Sequence, residues 1–283
     1  MTGSNKAGLA GVIGWPIEHS LSPRLHGYWL ERYKIDGAYI ALPVRPADLK
    51  ETLGILPRIG FHGVNVTVPH KEAALDAMDE VEPLAQTIGA VNTVIVRPDG
   101  TLLGRNTDAY GFLENLREGA PHWHAAHKPA LVIGAGGAAR AICVALLDAG
   151  VPEIYLVNRT AQRARELAEK LGEEVIAVRW DDHGAAMAKA SLVVNATTLG
   201  MKGEPENILD LSKLPQSAVV TDIVYNPVET PLLAAAKKRG NAIVDGLGML
   251  IHQARPGFEA WFGRAPEPTA ELREYLIATL KQQ

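Results

Sequence analysis

The sequence predicts an α/β protein of two domains, and three observations carry that reading. Strand-type and helix-type segments alternate along nearly the whole chain, as in a mostly parallel sheet covered by helices. The 283 residues are enough for two domains with separate cores. The run Ala130-Leu131-Val132-Ile133-Gly134-Ala135-Gly136-Gly137-Ala138-Ala139-Arg140-Ala141 leads four apolar residues through a glycine turn into a helix-type pattern at Ile142, Val144, Ala145 and Leu146.

In the first domain Gly11–Trp15 reads as a strand, Pro23–Tyr33 as a helix, Ala38–Val44 as a strand and Ala47–Ile59 as a helix. Gly63–Val68 is the next strand and His70–Met78 the next helix, followed by a short helix at Leu84–Ile88. Val91–Val96 and Thr101–Arg105 are strands joined by the turn signal Asp99-Gly100, so some antiparallel pairing is expected there. A helix begins near Asp108 and stops before Gly119. Pro121–Pro129 is irregular, and the domain change lies between Asp108 and Pro129. His122, His124 and His127 in that loop have no Cys or acidic partner nearby, so they read as incidental and no metal is expected. Further strands fall at Glu153–Val157, Glu174–Val178, Leu192–Asn195, Val219–Val224 and Ala242–Val244. Thr230–Arg239, Met249–Phe262 and Thr269–Lys281 are helices.

Apolar residues make up 47 % and charged residues 21 % of the chain, which is ordinary globular composition. The net charge of −4 does not suggest a nucleic-acid or anionic-membrane role. Ala7–Trp15 follows a short segment carrying Lys6 but is too short to span a membrane, and no other run approaches that length. Cys143 sits in an apolar helix segment and cannot form an internal disulfide, which fits a reducing compartment. A soluble cytoplasmic protein is expected.

A strand entering a helix through Gly-x-Gly-x-x-Ala reads as a dinucleotide-binding turn. Gly134 permits the tight turn, Gly136 lets the main chain approach a pyrophosphate, and Ala139 lets the helix lie close on the sheet. Ala135, Gly137 and Ala138 complete the turn, whose N–H groups and helix dipole face the phosphates. A sharp βα turn without a ligand is the competing reading. At the end of the second strand, where NAD sites carry an acid for the ribose, stand Asn158, Arg159 and Thr160, with Arg163 one turn on. Two guanidiniums and no carboxylate predict NADP(H), because a guanidinium pairs bidentately with a phosphate. The alternative is that both arginines simply solvate a helix face.

The first domain gathers polar residues at the expected carboxyl ends of its strands. Ser22 before Pro23 reads as a helix N-cap, and Ser20 and Ser22 together also suit a small carboxylate. Lys71 falls in the first turn of the expected helix after Pro69, where a cation opposes the dipole and invites a functional explanation, although Glu72 compensates locally. Asn92 opens a strand. Asp108 lies at the domain junction, either as a helix cap or as a partner for Lys71.

Eight motifs in order now make a specific pattern: Ser20-x-Ser22-Pro23, Asn65-Val66-Thr67-x-Pro69-x-Lys71, Gly89-Ala90-x-Asn92-Thr93, Gly104-x-Asn106-Thr107-Asp108, the glycine turn, Asn158-Arg159-Thr160, Asp222-x-x-Tyr225-Asn226-Pro227 and Gly246-x-Gly248-Met249-Leu250-x-x-Gln253. Together they resemble the shikimate dehydrogenase family over nearly the whole chain. The resemblance implies NADP-dependent interconversion of 3-dehydroshikimate and shikimate, in aromatic amino-acid biosynthesis by way of chorismate. It implies a substrate domain at 1–108, a Rossmann-like NADP-binding domain at 109–245, and C-terminal helices at 246–283 that return to the first domain. Ser20 and Ser22 would hold the substrate carboxylate with Tyr225 nearby, and Thr67, Asn92, Asp108 and Gln253 would bind ring hydroxyls. Lys71 would donate and accept the proton, coupled to Asp108. Asn158, Arg159 and Thr160 would carry the adenosine phosphate end, and Ile223, Gly246 and Met249 would lie near the nicotinamide. Gly27 departs from the pattern, since similar proteins more often carry Asn there, which bears on local helix packing.

A free lysine has a pKa of about 10.4, so reduction with the ammonium as acid is the easy direction and oxidation calls for higher pH. The expected helix dipole would lower that value and Asp108 would raise it. The alternatives are a quinate/shikimate dehydrogenase of broader specificity, against which Ser22 and Arg159 argue, and a non-catalytic NADP-binding regulator, against which Lys71 and Asp108 argue. A monomer or homodimer fits either reading.

Overall fold

The structure, a computed structural model, describes residues 7–205 and 209–282. Lys6 and the side chain of His127 lie outside the described residues. The chain forms two compact units, one ending at Thr107 and resuming at Gln253, the other running from Asp108 to His252.

The first unit contains β1 (Gly8–Gly14), α1 (Ser22–Tyr33), β2 (Gly37–Pro43), α2 (Leu49–Ile55), β3 (Phe61–Val66), β4 (Glu80–Val81), α3 (Pro83–Ile88), β5 (Thr93–Val96) and β6 (Leu102–Arg105). Its sheet runs β2-β1-β3-β5-β6-β4. β1 is parallel to β2 and β3, and β4 to β6, while β5 runs antiparallel to both β3 and β6. The Asp99-Gly100 turn joins β5 to β6, with Asp99 Oδ1 accepting from the Thr101 N–H at 2.9 Å. Antiparallel pairing therefore extends one strand further than the hairpin alone implies. One apolar layer packs Ile13, Leu53, Val64, Val66, Ala85, Val91 and Val94. Trp29, Tyr39, Phe258 and Trp261 form an aromatic group around His26. The part of α9 (Gly246–Phe262) from Gln253 onward and α10 (Ala270–Leu280) belong to this unit. Trp261 Nε1 donates to the Val94 carbonyl at 3.0 Å, and burying a side chain such as Phe258 contributes about 1.5–3 kcal/mol.

The second unit contains α4 (Asp108–Gly119), β7 (Ala130–Ile133), α5 (Gly137–Asp148), β8 (Ile154–Val157), α6 (Ala161–Leu171), β9 (Val175–Val178), α7 (His183–Met187), β10 (Leu192–Asn195), β11 (Val219–Asp222), α8 (Pro231–Lys238) and β12 (Ala242–Val244). Its sheet is wholly parallel in the order β12-β11-β10-β7-β8-β9. Strands β7, β8, β10 and β11 are buried at every residue, which explains the apolar runs of β7 and β8 and the apolar residues that lead into Asn195 on β10 and Thr221 on β11. The order reverses between β7 and β10, and ligands of such sheets bind at the carboxyl ends beside that reversal.

Three local expectations fail for identifiable reasons. The expected helix over 47–59 is a 3₁₀ turn at Pro46–Asp48 followed by the shorter α2. No α-helix forms over 70–78, only turns and a 3₁₀ segment at Leu75–Ala77. The Lys71 carbonyl, which a helix would offer to Leu75, instead accepts from the Val91 N–H at 2.8 Å, and Leu75 N–H turns to the Glu72 carbonyl. The dipole argument for Lys71 therefore has no helix to rest on. Ser22 is not an N-cap but the first residue of α1, and its N–H donates to Ser20 Oγ at 3.3 Å.

Candidate active site

The strand directions of the first unit bring separate polar segments to one edge of its sheet. β1 and β3 are parallel, so the residues after both, including Ser20, Ser22, Thr67 and Lys71, leave at the same edge. β5 is antiparallel to β3, so Asn92, just before it, returns to that edge; β6 reverses again and delivers Asn106 and Thr107 there. Thr67 N–H donates to the Ile13 carbonyl at 2.9 Å, and the Asn92 carbonyl accepts from the Val66 N–H at 2.8 Å. The Lys71 carbonyl bond to Val91 sets Lys71 beside Asn92 along the main chain. Gln253 joins from α9: its carbonyl accepts from the Thr107 hydroxyl at 2.8 Å and its Oε1 lies 3.4 Å from Asn92 Nδ2.

Asn92 is 1 % exposed and its amide is pinned on both sides. Oδ1 accepts from Thr107 N–H at 2.8 Å and from Thr93 Oγ1 at 2.9 Å, while Nδ2 donates to Thr107 Oγ1 at 3.0 Å. Behind it, Asn65 Nδ2 donates to the Asn92 carbonyl and to Thr93 Oγ1, each at 3.2 Å, and Asn65 Oδ1 accepts from Tyr39 Oη at 2.6 Å. Burial pushes the Tyr39 phenol well above its ordinary range, while a hydrogen bond with Ser22 acts the other way, so Tyr39 remains a donor. His26 stacks flat on Tyr39 with ring centres 3.8 Å apart. Burial lowers its pKa to about 3, and neither ring nitrogen has a hydrogen-bond partner among the described residues. It is a neutral aromatic plate. The sequence motifs contain Asn65 and Thr93 without a role for either, and Tyr39 and His26 lie outside them. The available signal was polar Asn65 between the apolar Val64 and Val66.

In the second unit the glycine turn lies at the strand-order reversal. Gly134 has φ +118°, and a Cβ there would come within 2.8 Å of the Ala196 carbonyl. Its N–H donates to the Val157 carbonyl at 2.8 Å, tying the turn to the end of β8, where Asn158, Arg159 and Thr160 stand. Ala135 and Ala139 are buried against the sheet, Gly137 and Ala138 open α5, and Gly136 is exposed with nothing within 4 Å of a Cβ built on it. The turn thus faces open space with free room for a phosphate. Asn158 Nδ2 donates to the Thr160 carbonyl at 2.9 Å. Arg159 and Arg163 are exposed, and among the described residues no carboxylate pairs with either. This is a surface suited to an anion.

Ile223 and Gly246 are brought together: a Cβ on Gly246 would collide with the Ile223 carbonyl. Met249 is buried in the first turns of α9, and Tyr225 lies two residues beyond Ile223, half-buried. Asp108 is the buried first residue of α4 and belongs to this unit. Beneath these loops is a buried pair that the sequence did not reveal. Asn195 Nδ2 donates to Asp222 Oδ1 at 2.9 Å and to the Leu199 carbonyl at 3.0 Å, and its Oδ1 accepts from Thr197 Oγ1 at 2.7 Å. Asp222 also accepts from Val224 N–H at 3.0 Å and Thr230 Oγ1 at 2.8 Å. Burial raises its pKa to about 6 against the pull of those bonds. Among the described residues no group of three or more His, Cys, Asp or Glu side chains could hold a metal ion, and no helix is long and apolar enough to cross a membrane.

Three family models match successive stretches of the chain. Residues 12–94 match the model of the shikimate dehydrogenase substrate binding domain, residues 119–223 that of shikimate / quinate 5-dehydrogenase, and residues 246–271 that of the shikimate 5'-dehydrogenase C-terminal domain. The chain is 58 % identical over 275 residues to the shikimate dehydrogenase (NADP(+)) of Paramagnetospirillum magneticum, covering 97 % of this chain and 100 % of that protein. Among solved structures, quinate dehydrogenase from Corynebacterium glutamicum in complex with NAD matches with a TM-score of 0.89 at 34 % identity, covering 96 % and 99 % of the two chains. Shikimate 5-dehydrogenase from Thermus thermophilus in complex with NADP(H) and shikimate matches with a TM-score of 0.84 at 39 % identity, covering 97 % and 99 %.

Proposed function

The chain belongs to the shikimate dehydrogenase family, and on that premise we propose that it is an NADP-dependent oxidoreductase that interconverts 3-dehydroshikimate and shikimate. The observation that carries the reading is the meeting of Ser22, Thr67, Lys71, Asn92 and Gln253 at one sheet edge of the first unit. The substrate is assigned to this unit and the cofactor to the second. In this role the enzyme serves aromatic amino-acid biosynthesis, by way of chorismate, in the cytoplasm.

Ser20 and Ser22 are assigned to the substrate carboxylate; Thr67, Asn92 and Gln253 are assigned to its hydroxyls. The open space at Gly136 and the exposed Arg159 and Arg163 fit NADP: the first turn of α5 takes the pyrophosphate, and Asn158, Arg159, Thr160 and Arg163 the phosphorylated ribose. Ile223, Gly246 and Met249 line the nicotinamide end. Bound NADPH supplies the hydride. Lys71 supplies the proton to the oxygen of the reduced carbonyl and takes it back in the oxidative direction.

The direct test is 3-dehydroshikimate with NADPH, followed by loss of nicotinamide absorbance; no loss with folded protein overturns the proposal. The likeness to a quinate dehydrogenase makes quinate the competing substrate. Quinate carries an extra hydroxyl on a tetrahedral carbon beside its carboxylate, which would displace that carboxylate from the two serines. Losing one or two charge-assisted bonds predicts a preference for shikimate of roughly 10²-fold in kcat/KM. Equal values would favour the broader enzyme.

A further inference from the structure

The buried polar chain behind Asn92 has one direction, fixed by two main-chain groups. Asn92 Oδ1 sits 2.8 Å from the Thr107 N–H, which can only donate, so that atom is the oxygen. Asn65 Nδ2 sits 3.2 Å from the Asn92 carbonyl, which can only accept, so that atom is the nitrogen. The rest follows. Tyr39 must donate to Asn65 Oδ1, and Asn65 Nδ2 donates to Thr93 Oγ1. The Thr93 hydroxyl, already accepting, donates to Asn92 Oδ1. Asn92 Nδ2 donates to Thr107 Oγ1, whose own proton goes to the Gln253 carbonyl. Five bonds thus point the same way, from Tyr39 to Gln253. The Asn92 oxygen is engaged by Thr107 N–H and Thr93 O–H, and its nitrogen donates to Thr107 Oγ1 at 3.0 Å and faces Gln253 Oε1 at 3.4 Å, so a ligand that meets this amide meets its N–H side, as an acceptor in the place of Gln253 Oε1.

We propose that Thr93, Asn65 and Tyr39 are positioning residues that hold the Asn92 amide as a hydrogen-bond donor, so that the substrate oxygen it meets is selected as an acceptor. This rests on the assignment of Asn92 to substrate binding. Thr93 is the central link because its hydroxyl both accepts from Asn65 and donates to Asn92; without it the amide oxygen loses one of the two donors named above. Tyr39 is the outermost link, 2.6 Å from Asn65 Oδ1.

The test is a double-mutant cycle in steady-state kinetics with shikimate and NADP. Thr93→Val keeps the shape and removes the hydroxyl; it should lower kcat/KM for shikimate about tenfold, chiefly through KM, with the KM for NADP unchanged. Thr93→Ser restores the hydroxyl and should recover most of that loss. Tyr39→Phe keeps the ring on His26 and should cost about two- to threefold in the same parameter. In an Asn92→Ala background both penalties should vanish, because residues that act through Asn92 have nothing left to orient. Penalties that persist in that background, or a Thr93→Val protein with wild-type kinetics while Asn92→Ala is impaired, overturn the positioning role alone. An Asn92→Ala protein with wild-type kinetics overturns the substrate assignment beneath it.

Discussion

The two units build their binding surfaces from different material. The first presents side chains, Ser22, Thr67, Lys71 and Asn92, at the edge of a mixed sheet, with a buried relay of amides and hydroxyls behind them. The second presents main chain: a glycine turn at the reversal of a parallel sheet, with exposed arginines beside it. Chemistry on a small polyhydroxylated ring calls for donors and acceptors of set direction, and side chains supply these only when a second layer fixes them. A pyrophosphate is a diffuse anion, and N–H groups at a helix start suffice for it.

The largest expected effect breaks the comparison on the side-chain unit. Lys71→Ala should lower turnover by roughly 10²–10⁴-fold, the usual size of general acid–base help, with little change in substrate KM. Stopped-flow or steady-state rates check it, and near-normal turnover would remove Lys71 from the chemistry.

The units also bury opposite kinds of titratable group. His26, in the first, has its pKa lowered from 6.5 to about 3 by burial. A lowered folded-state pKa means that the unfolded chain takes up the proton first, so stability is full above pH 6.5 and is lost as pH falls toward 3. The total is about 5 kcal/mol at 1.36 kcal/mol per pH unit. Asp222, in the second, has its pKa raised from 3.8 to about 6. A raised folded-state value gives the opposite sign: stability is greatest below pH 3.8 and falls by about 3 kcal/mol as pH rises through 6. The five tryptophans allow both to be read, since 15, 29 and 261 lie in the first unit and 123 and 180 in the second. In urea titrations on variants that keep only one set, His26→Phe should flatten the acid loss in the first unit. Asp222→Asn, which keeps the acceptor oxygen for Asn195, should flatten the opposite slope in the second. Unchanged slopes in either variant would assign the pH dependence to other groups.

The same contrast explains what the sequence made legible. The glycine turn, the Asp99-Gly100 hairpin and the buried strands of the second unit are local: a Cβ excluded at Gly134 or an unbroken apolar run can be read in a short window. Lys71, Asn92 and Ser22 were found from motifs that lie within a few residues each. The helix expected after Pro69 failed because the Lys71 carbonyl is taken by Val91, a partner 20 residues away that no local periodicity reports. Tyr39, Asn65 and Thr93 pair across 26 to 28 residues, and Asn195 meets Asp222 across 27, so these supports emerge only once the strands are registered.

The division of labour itself is tested most directly by measuring equilibrium binding of shikimate, NADPH and NADH to the wild type, Ser22→Ala and Arg159→Ala. Arg159→Ala should weaken NADPH by about 10- to 150-fold, the equivalent of 1.5–3 kcal/mol for a lost charge-assisted contact, while NADH and shikimate hardly move. Ser22→Ala should weaken shikimate and leave both cofactors unchanged. A Ser22→Ala protein that loses NADPH as strongly as shikimate, or an Arg159→Ala protein that loses NADPH and NADH equally, would contradict the account.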